Sequence, residues 1–392
     1  MKPKIVIITN ITFTKRDYKR FGINTLKNKF NVFIFDFTKN FSKKLDSYKY
    51  SQKIYRCKGY HSIRSLSSFI KLVEKHNFSN CINYISDKEL EFKLTNILKK
   101  TKVSIIKIQN GLVIGSKHPR SFLQNIHILY LKFTSRKRFL AFITNQINKI
   151  KNKFNKKKNI IYDKVVVTGK TGLKDVAIGL NTKIIHAHSY DYNNYLEYNK
   201  SGNLRIKKPY AVFLDQYLPL HPDAPIFFGV SPRCTPEKYY PALNNFFNIF
   251  EKKYNMEVII CAHPKSDYEN NLNYLYGRKF IKNKTINLVK DSKIVFAHGS
   301  TTIAYAILYK KPLVFLLSNE YIRSFDNYTP AVIAKKIDSP YFNIDDKNND
   351  FNIQNINLFK LNKKKYNTYI DDYIKYPSSP HKKFWQIFNE SI

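Results

Sequence analysis

The residues best suited to chemistry cluster in the second half of the chain. Asp215-Gln216, His263-Pro264-Lys265 and His298-Gly299-Ser300-Thr301-Thr302 each follow a short apolar run of strand length. Ligands of open parallel sheets bind beyond the carboxyl ends of the strands, which is where these groups fall. The last group opens directly into a helical pattern. Its backbone N–H groups and hydroxyls would therefore meet a phosphate at the positive end of a helix dipole. Ser and Thr are also ordinary helix N-caps, but the His-Pro turn two elements earlier favours a ligand. A histidine there can donate to a phosphate oxygen or a ribose, and the proline fixes its turn.

The elements that must position these groups alternate in type. Ile5–Thr9, Val32–Asp36, Cys81–Ser86, Val103–Ile108, Lys164–Val167 and Lys183–Ile185 read as strands, with helical stretches at Ser65–Glu74 and Glu89–Lys100. A polar, aperiodic stretch, Asn193–Lys208, reads as a linker. The pattern then restarts with strands at Tyr210–Leu214, Glu257–Cys261, Lys293–Ala297 and Leu313–Leu317, and long and short helices at Pro236–Tyr254 and Thr285–Lys290. Such alternation predicts two doubly wound α/β domains, residues 1–200 and 201–392, facing a cleft. A terminal helix is expected at His381–Ile392, around Trp385.

Length and composition suit this reading: 392 residues with 43% hydrophobic content can build two cores. The longest apolar stretches are too short to span a bilayer, and the N-terminus reads as a first strand. Four scattered cysteines suggest neither a disulfide framework nor a zinc site, and fit a reducing cytoplasm. Lys, Asn, Ile, Tyr and Phe are abundant together, as codon choice in an AT-rich genome would produce, and the net charge is +40. That bias does not explain the gap between Glu91 and Asp163, which holds seventeen Lys or Arg and no acid. Within it, Phe139, Ile143, Ile147, Ile150 and Phe154 form one helical stripe among lysines. A basic amphipathic segment at 130–160 suits an anionic membrane surface or a solvated helix on its own domain.

Several motifs are excluded. No HExxH, GxSxG, GxGxxG or DxD occurs, so no metal or cofactor site is expected. Gly169-Lys170-Thr171 echoes a P-loop without its first glycine, and His118-Pro119 and His221-Pro222 read as loop turns. No compact nucleic-acid-binding signature appears.

The pair "CAHPKSDY" (Cys261–Tyr268) and "KIVFAHGSTTIAYAILYKKPLVFL" (Lys293–Leu316) resembles the C-terminal half of bacterial GT-B transferases, over roughly residues 205–320. The resemblance is to sialyltransferase-like enzymes and relatives using nonulosonate or Kdo donors. In that group a His-Pro motif and a Ser/Thr pair hold the CMP part of the donor. Teichoic acid polymerases using CDP-glycerol share a similar arrangement. "GRKFIKNKT" (Gly277–Thr285) and "IQNG" (Ile108–Gly111) are similar to segments of transferases from O-antigen and capsule clusters.

The resemblance implies an inverting, metal-independent glycosyltransferase without cofactor, peripheral on the inner face of the plasma membrane. Gln216, His263, Pro264, Lys265, His298, Gly299, Ser300, Thr301 and Thr302 would bind a nucleotide sugar, CMP-linked by preference. Gln109, Asn110, Gly111 and Asp191 would face a lipid-linked or polysaccharide acceptor. The acidic motif that carries the base in sialyltransferase-like enzymes is missing. An inverting transfer needs one carboxylate to accept the hydroxyl proton, and Asp87 is expected to serve, followed by Asp215 and then Asp191. "SDKELE" could equally cap the next helix with Asp87. The alternatives are a CDP-polyol phosphotransferase, a UDP-sugar transferase, and a basic nucleic-acid-binding protein without catalysis.

Overall fold

Four consecutive β-branched residues, Ile5-Val6-Ile7-Ile8, are completely buried, as a strand covered on both faces requires. They form β1 (Lys4–Thr9), an interior strand of a parallel sheet in a computed structural model of the chain. The structure describes residues 1–41, 53–111, 160–174, 176–198, 206, 208–221, 234–325 and 329–392. The described residues of Met1–Ser116 and Tyr162–Ile392 make one compact unit. The basic stripe at 139–154 and His118-Pro119 lie outside the described residues.

The first sheet adds β2 (Asn31–Asp36), β3 (Tyr60–Ser62), β4 (Asn80–Tyr84), β5 (Ser104–Gln109), β6 (Lys164–Val167) and β7 (Lys183–His186), in the order β3-β2-β1-β4-β5-β6-β7. The second contains β8 (Tyr210–Leu214), β9 (Glu257–Ala262), β10 (Phe280–Lys282), β11 (Ile294–Ala297), β12 (Leu313–Leu317) and β13 (Tyr341–Asn343), in the order β10-β9-β8-β11-β12-β13. All pairings in both sheets are parallel. The strand order turns back at β1/β4 and at β8/β11, the two positions where crevices open in such sheets.

The expected strands match, but the three short strands β3, β10 and β13 were not foreseen. Each has three residues at a sheet edge, too few to display a period of two. The expected linker is corrected at its start: Tyr190–Tyr198 is a helix. Polar in sequence, it is held by tertiary contact, with Tyr195 edge-on to Tyr309 at 4.9 Å.

The final helix, Phe384–Ser391, does not stay with the second sheet. Phe384, Trp385 and Phe388 join the core of the first, beside Ile5, Ile34 and Val166. Trp385 donates its indole N–H to the Arg20 carbonyl at 2.9 Å and covers Gly22. That glycine has φ +56, and a methyl there would meet the indole at 2.2 Å. The chain therefore crosses back over its own beginning. Among the described residues no helix is long and apolar enough to cross a membrane.

Candidate functional site

Beyond the carboxyl ends of β8, β9 and β11 lies a cleft of about 500 Å³. The His263-Pro264 turn forms one wall and Ser300-Thr301-Thr302 another, with Asp215 between them. Arg16, Asp191 and Asn194 reach it from segments that precede the second sheet in the chain. Thr285, Asn287 and Tyr305 complete much of the lining. The separated strand ends of the sequence thus meet in one place.

Asp215 holds the two strand ends together. Its Oδ1 accepts from the Tyr217 N–H at 2.7 Å, and its Oδ2 accepts from the His263 N–H at 3.3 Å and the Tyr268 hydroxyl at 3.1 Å. Burial raises its carboxyl to about 6, against the lowering effect of those three donors. A carboxylate so occupied positions the His-Pro turn. The turn also closes on itself: the Lys265 N–H donates to His263 Nδ1 at 3.2 Å. An accepting Nδ1 leaves the ring proton on Nε2, making that atom a donor. His221 packs against the same ring at 4.6 Å, a contact its sequence context did not suggest.

Ser300, Thr301 and Thr302 lead into the Ile303–Leu308 helix. The Thr302 hydroxyl and N–H both donate to Ser300 Oγ, at 2.9 and 3.3 Å, so the loop is ordered by its own hydroxyls. Gly111, at φ +70, lies close by: a methyl on it would come within 3.9 Å of Thr301 Cγ2. Asn110 Oδ1 accepts from the Tyr190 N–H at 3.4 Å. The Gln109-Asn110-Gly111 turn is therefore adjacent to the cleft without lining it.

Other expected site residues are placed differently. His298 is fully buried; its ring nitrogens lie 2.7 Å from the Tyr239 hydroxyl and 2.7 Å from the Leu316 carbonyl oxygen. The cause is strand alternation. Ile294 and Phe296 face one core layer while Val295 and Ala297 face the other, and His298 follows Phe296. It braces the loop from behind and is corrected from ligand contact to support. Gly299 packs on Thr329, and Gln216 and Lys265 also lie outside the lining. Asp87 accepts from the Leu90 N–H at 2.8 Å as the N-cap of the Lys88–Lys100 helix. It is exposed and outside the cleft.

Arg16, Asn194 and Tyr305 are cleft residues that sequence reasoning missed. Tyr305 lies one turn after Thr301 and Thr302 on the same helix, which was the available signal. Nothing in the residues around Arg16 marked it.

No family model matches this chain, and no curated protein matches it in sequence. Its fold does match solved structures. UDP-GlcNAc 2-epimerase from Methanocaldococcus jannaschii aligns with a TM-score of 0.50 and 13% identity, over 99% of this chain and 99% of that one. The chain has the GT-B fold. The S. aureus MnaA–UDP structure (TM-score 0.49, 12% identity, 100% and 98% covered) and Acinetobacter baumannii MurG (0.48, 9%, 99% and 99%) are also similar. At these identities the likeness is one of fold.

Proposed function

We propose that this GT-B chain binds a nucleotide sugar and transfers the sugar to a hydroxyl acceptor in surface glycan synthesis. The observation that supports this is the convergence of His263, Ser300, Thr301 and Thr302 on one cleft that also carries an acidic residue, Asp191. The histidine and the hydroxyls suit the phosphates of the donor; a carboxylate suits the acceptor. The finer donor assignment, a CMP-linked nonulosonate or Kdo-like sugar, rests on the likeness of 261–268 and 293–316. Arg16 and Lys284 on the lining would complement the carboxylate of such a sugar. The acceptor is a lipid-linked or polysaccharide glycan at the membrane surface, approached through the basic segment 130–160.

Thermal shift with CMP, CDP, UDP and GDP tests the nucleotide. CMP is expected to raise the melting temperature most, and a protein indifferent to all four removes the reading. The fold match to a UDP-GlcNAc 2-epimerase makes a UDP-hexosamine the second donor to try, with C2 epimerisation scored beside transfer.

The phosphate contacts have their own test. Replacing Ser300 and Thr301 together by Ala removes two hydroxyls while the backbone amides remain. Loss of bonds to a charged group should cost about 1–2 kcal/mol, or about 5–30-fold in nucleotide affinity by calorimetry. Unchanged affinity would put the phosphate elsewhere.

A further inference from the structure

Asp191 has a setting that neither Asp87 nor Asp215 shares. It lies in the first turn of the Tyr190–Tyr198 helix and lines the cleft with His263 and the Ser300–Thr302 loop. Tyr305, only 5% exposed, lines the cleft beside Asp191 and favours its charged form, and Asn194 Nδ2 donates to the Tyr305 phenol oxygen at 3.1 Å. Arg16 and Arg20 act on Asp191 from the Lys15–Arg20 helix. The remaining titratable or charged groups of the cleft are Tyr198, Asp215, Cys261, His263 and Lys284. Asp87 is occupied in capping a helix outside the cleft, and both oxygens of Asp215 are bound within the fold.

We propose that Asp191 is the general base of the transfer reaction, held in position by the Tyr305–Asn194 pair. This inference rests on the transferase reading above. The acceptor hydroxyl gives its proton to an Asp191 carboxylate oxygen as its own oxygen bonds to the anomeric carbon. The bond from that carbon to the nucleotide phosphate oxygen breaks, and its electron pair leaves on the phosphate beside the Ser300–Thr302 hydroxyls. Burial raises the Asp191 carboxyl to about 6, while Tyr305 and the two arginines act in the opposite direction. A base so tuned is ionised at neutral pH yet retains proton affinity.

The experiment uses water as the acceptor, so that no glycan need be known. Nucleotide release from CMP- and UDP-sugars is followed against pH for the parent, Asp191→Asn and Tyr305→Phe. Binding of CMP and UDP is measured in parallel by calorimetry. Asp191→Asn should bind nucleotide like the parent and lose about 10²–10⁴-fold in turnover. Tyr305→Phe removes a hydroxyl that favours the charged form of Asp191, so its acid limb should move to higher pH. Near-parental turnover in Asp191→Asn overturns the assignment, as does loss of its nucleotide binding, which would put the carboxylate in the donor site. If Asp191→Asn does not fold, the limb of Tyr305→Phe decides, and an unmoved limb overturns it. A parent that releases no nucleotide from any donor fails the transferase reading itself and the base assignment with it. Failure in the variants alone leaves the transferase reading standing.

Discussion

Asp215→Ala is expected to destabilise the protein more than any other single truncation at the cleft. The side chain is 7% exposed and accepts three hydrogen bonds, from the Tyr217 and His263 amides and the Tyr268 hydroxyl. Truncation removes the acceptor of the Tyr217 and His263 amides and leaves the Tyr268 hydroxyl with Tyr240 at 3.3 Å; a buried donor left unpaired costs about 1–3 kcal/mol. The turn carrying His263 is released with them, so nucleotide affinity should fall as well. Urea unfolding with an unchanged m-value would report the loss. Stability within experimental error of the parent would show that the carboxylate is not what ties β8 to β9.

The same carboxyl has a pH signature. Its value rises from 3.8 to about 6 on folding. Between those values the folded chain holds a proton that the unfolded chain has released. The stabilisation from this group is therefore complete below about pH 4 and is lost as the pH rises through about 6. Asn cannot titrate, so the stability difference between the parent and Asp215→Asn should shrink across that window. A difference that grows with pH would reverse the assignment.

Gly169→Ala should have the next largest effect. The residue is extended, at φ −175, so its conformation admits any side chain; space is what excludes one. A methyl would lie 2.4 Å from the Asp372 carbonyl oxygen, 2.7 Å from its carbon and 2.8 Å from the Tyr373 nitrogen. These are backbone atoms and cannot swing aside. The Thr171 hydroxyl donates to that same carbonyl at 2.7 Å. The clasped turn leads into the returning C-terminal segment, whose Ile374 carbonyl accepts from the Ser189 N–H at 2.7 Å. Displacing it should cost about 1–3 kcal/mol and loosen the last helix, read as a lower melting temperature and faster proteolysis near residues 375–383. Parental stability would mean that the turn yields without cost.

That clasp explains the P-loop echo at Gly169-Lys170-Thr171. The glycine serves close approach of two backbones about 200 residues apart, since the Thr171 to Asp372 separation is 201. No local pattern can announce such a contact. Asp36 makes a similar point at the end of β2. Its carboxylate accepts from Phe13 and Thr38 amides and the Tyr60 hydroxyl, and is consumed in joining loops.

The sequence by itself determined the layered α/β architecture, because strands buried on both faces must be written as unbroken apolar runs such as Ile5–Ile8 and Leu313–Leu317. It also determined that His263 and Ser300–Thr302 stand at strand ends, since those ends follow the runs directly. Tertiary structure alone decided which way each side chain points and what meets it. Beyond the end of β11, two positions separate a core-facing His298 from Ser300, which lines the cleft. Asn194, on the helix that carries Asp191, meets Tyr305 across a separation of 111 residues. Such pairings follow from how the sheets and crossing segments pack, and packing depends on distances through space that residue spacing along the chain does not encode.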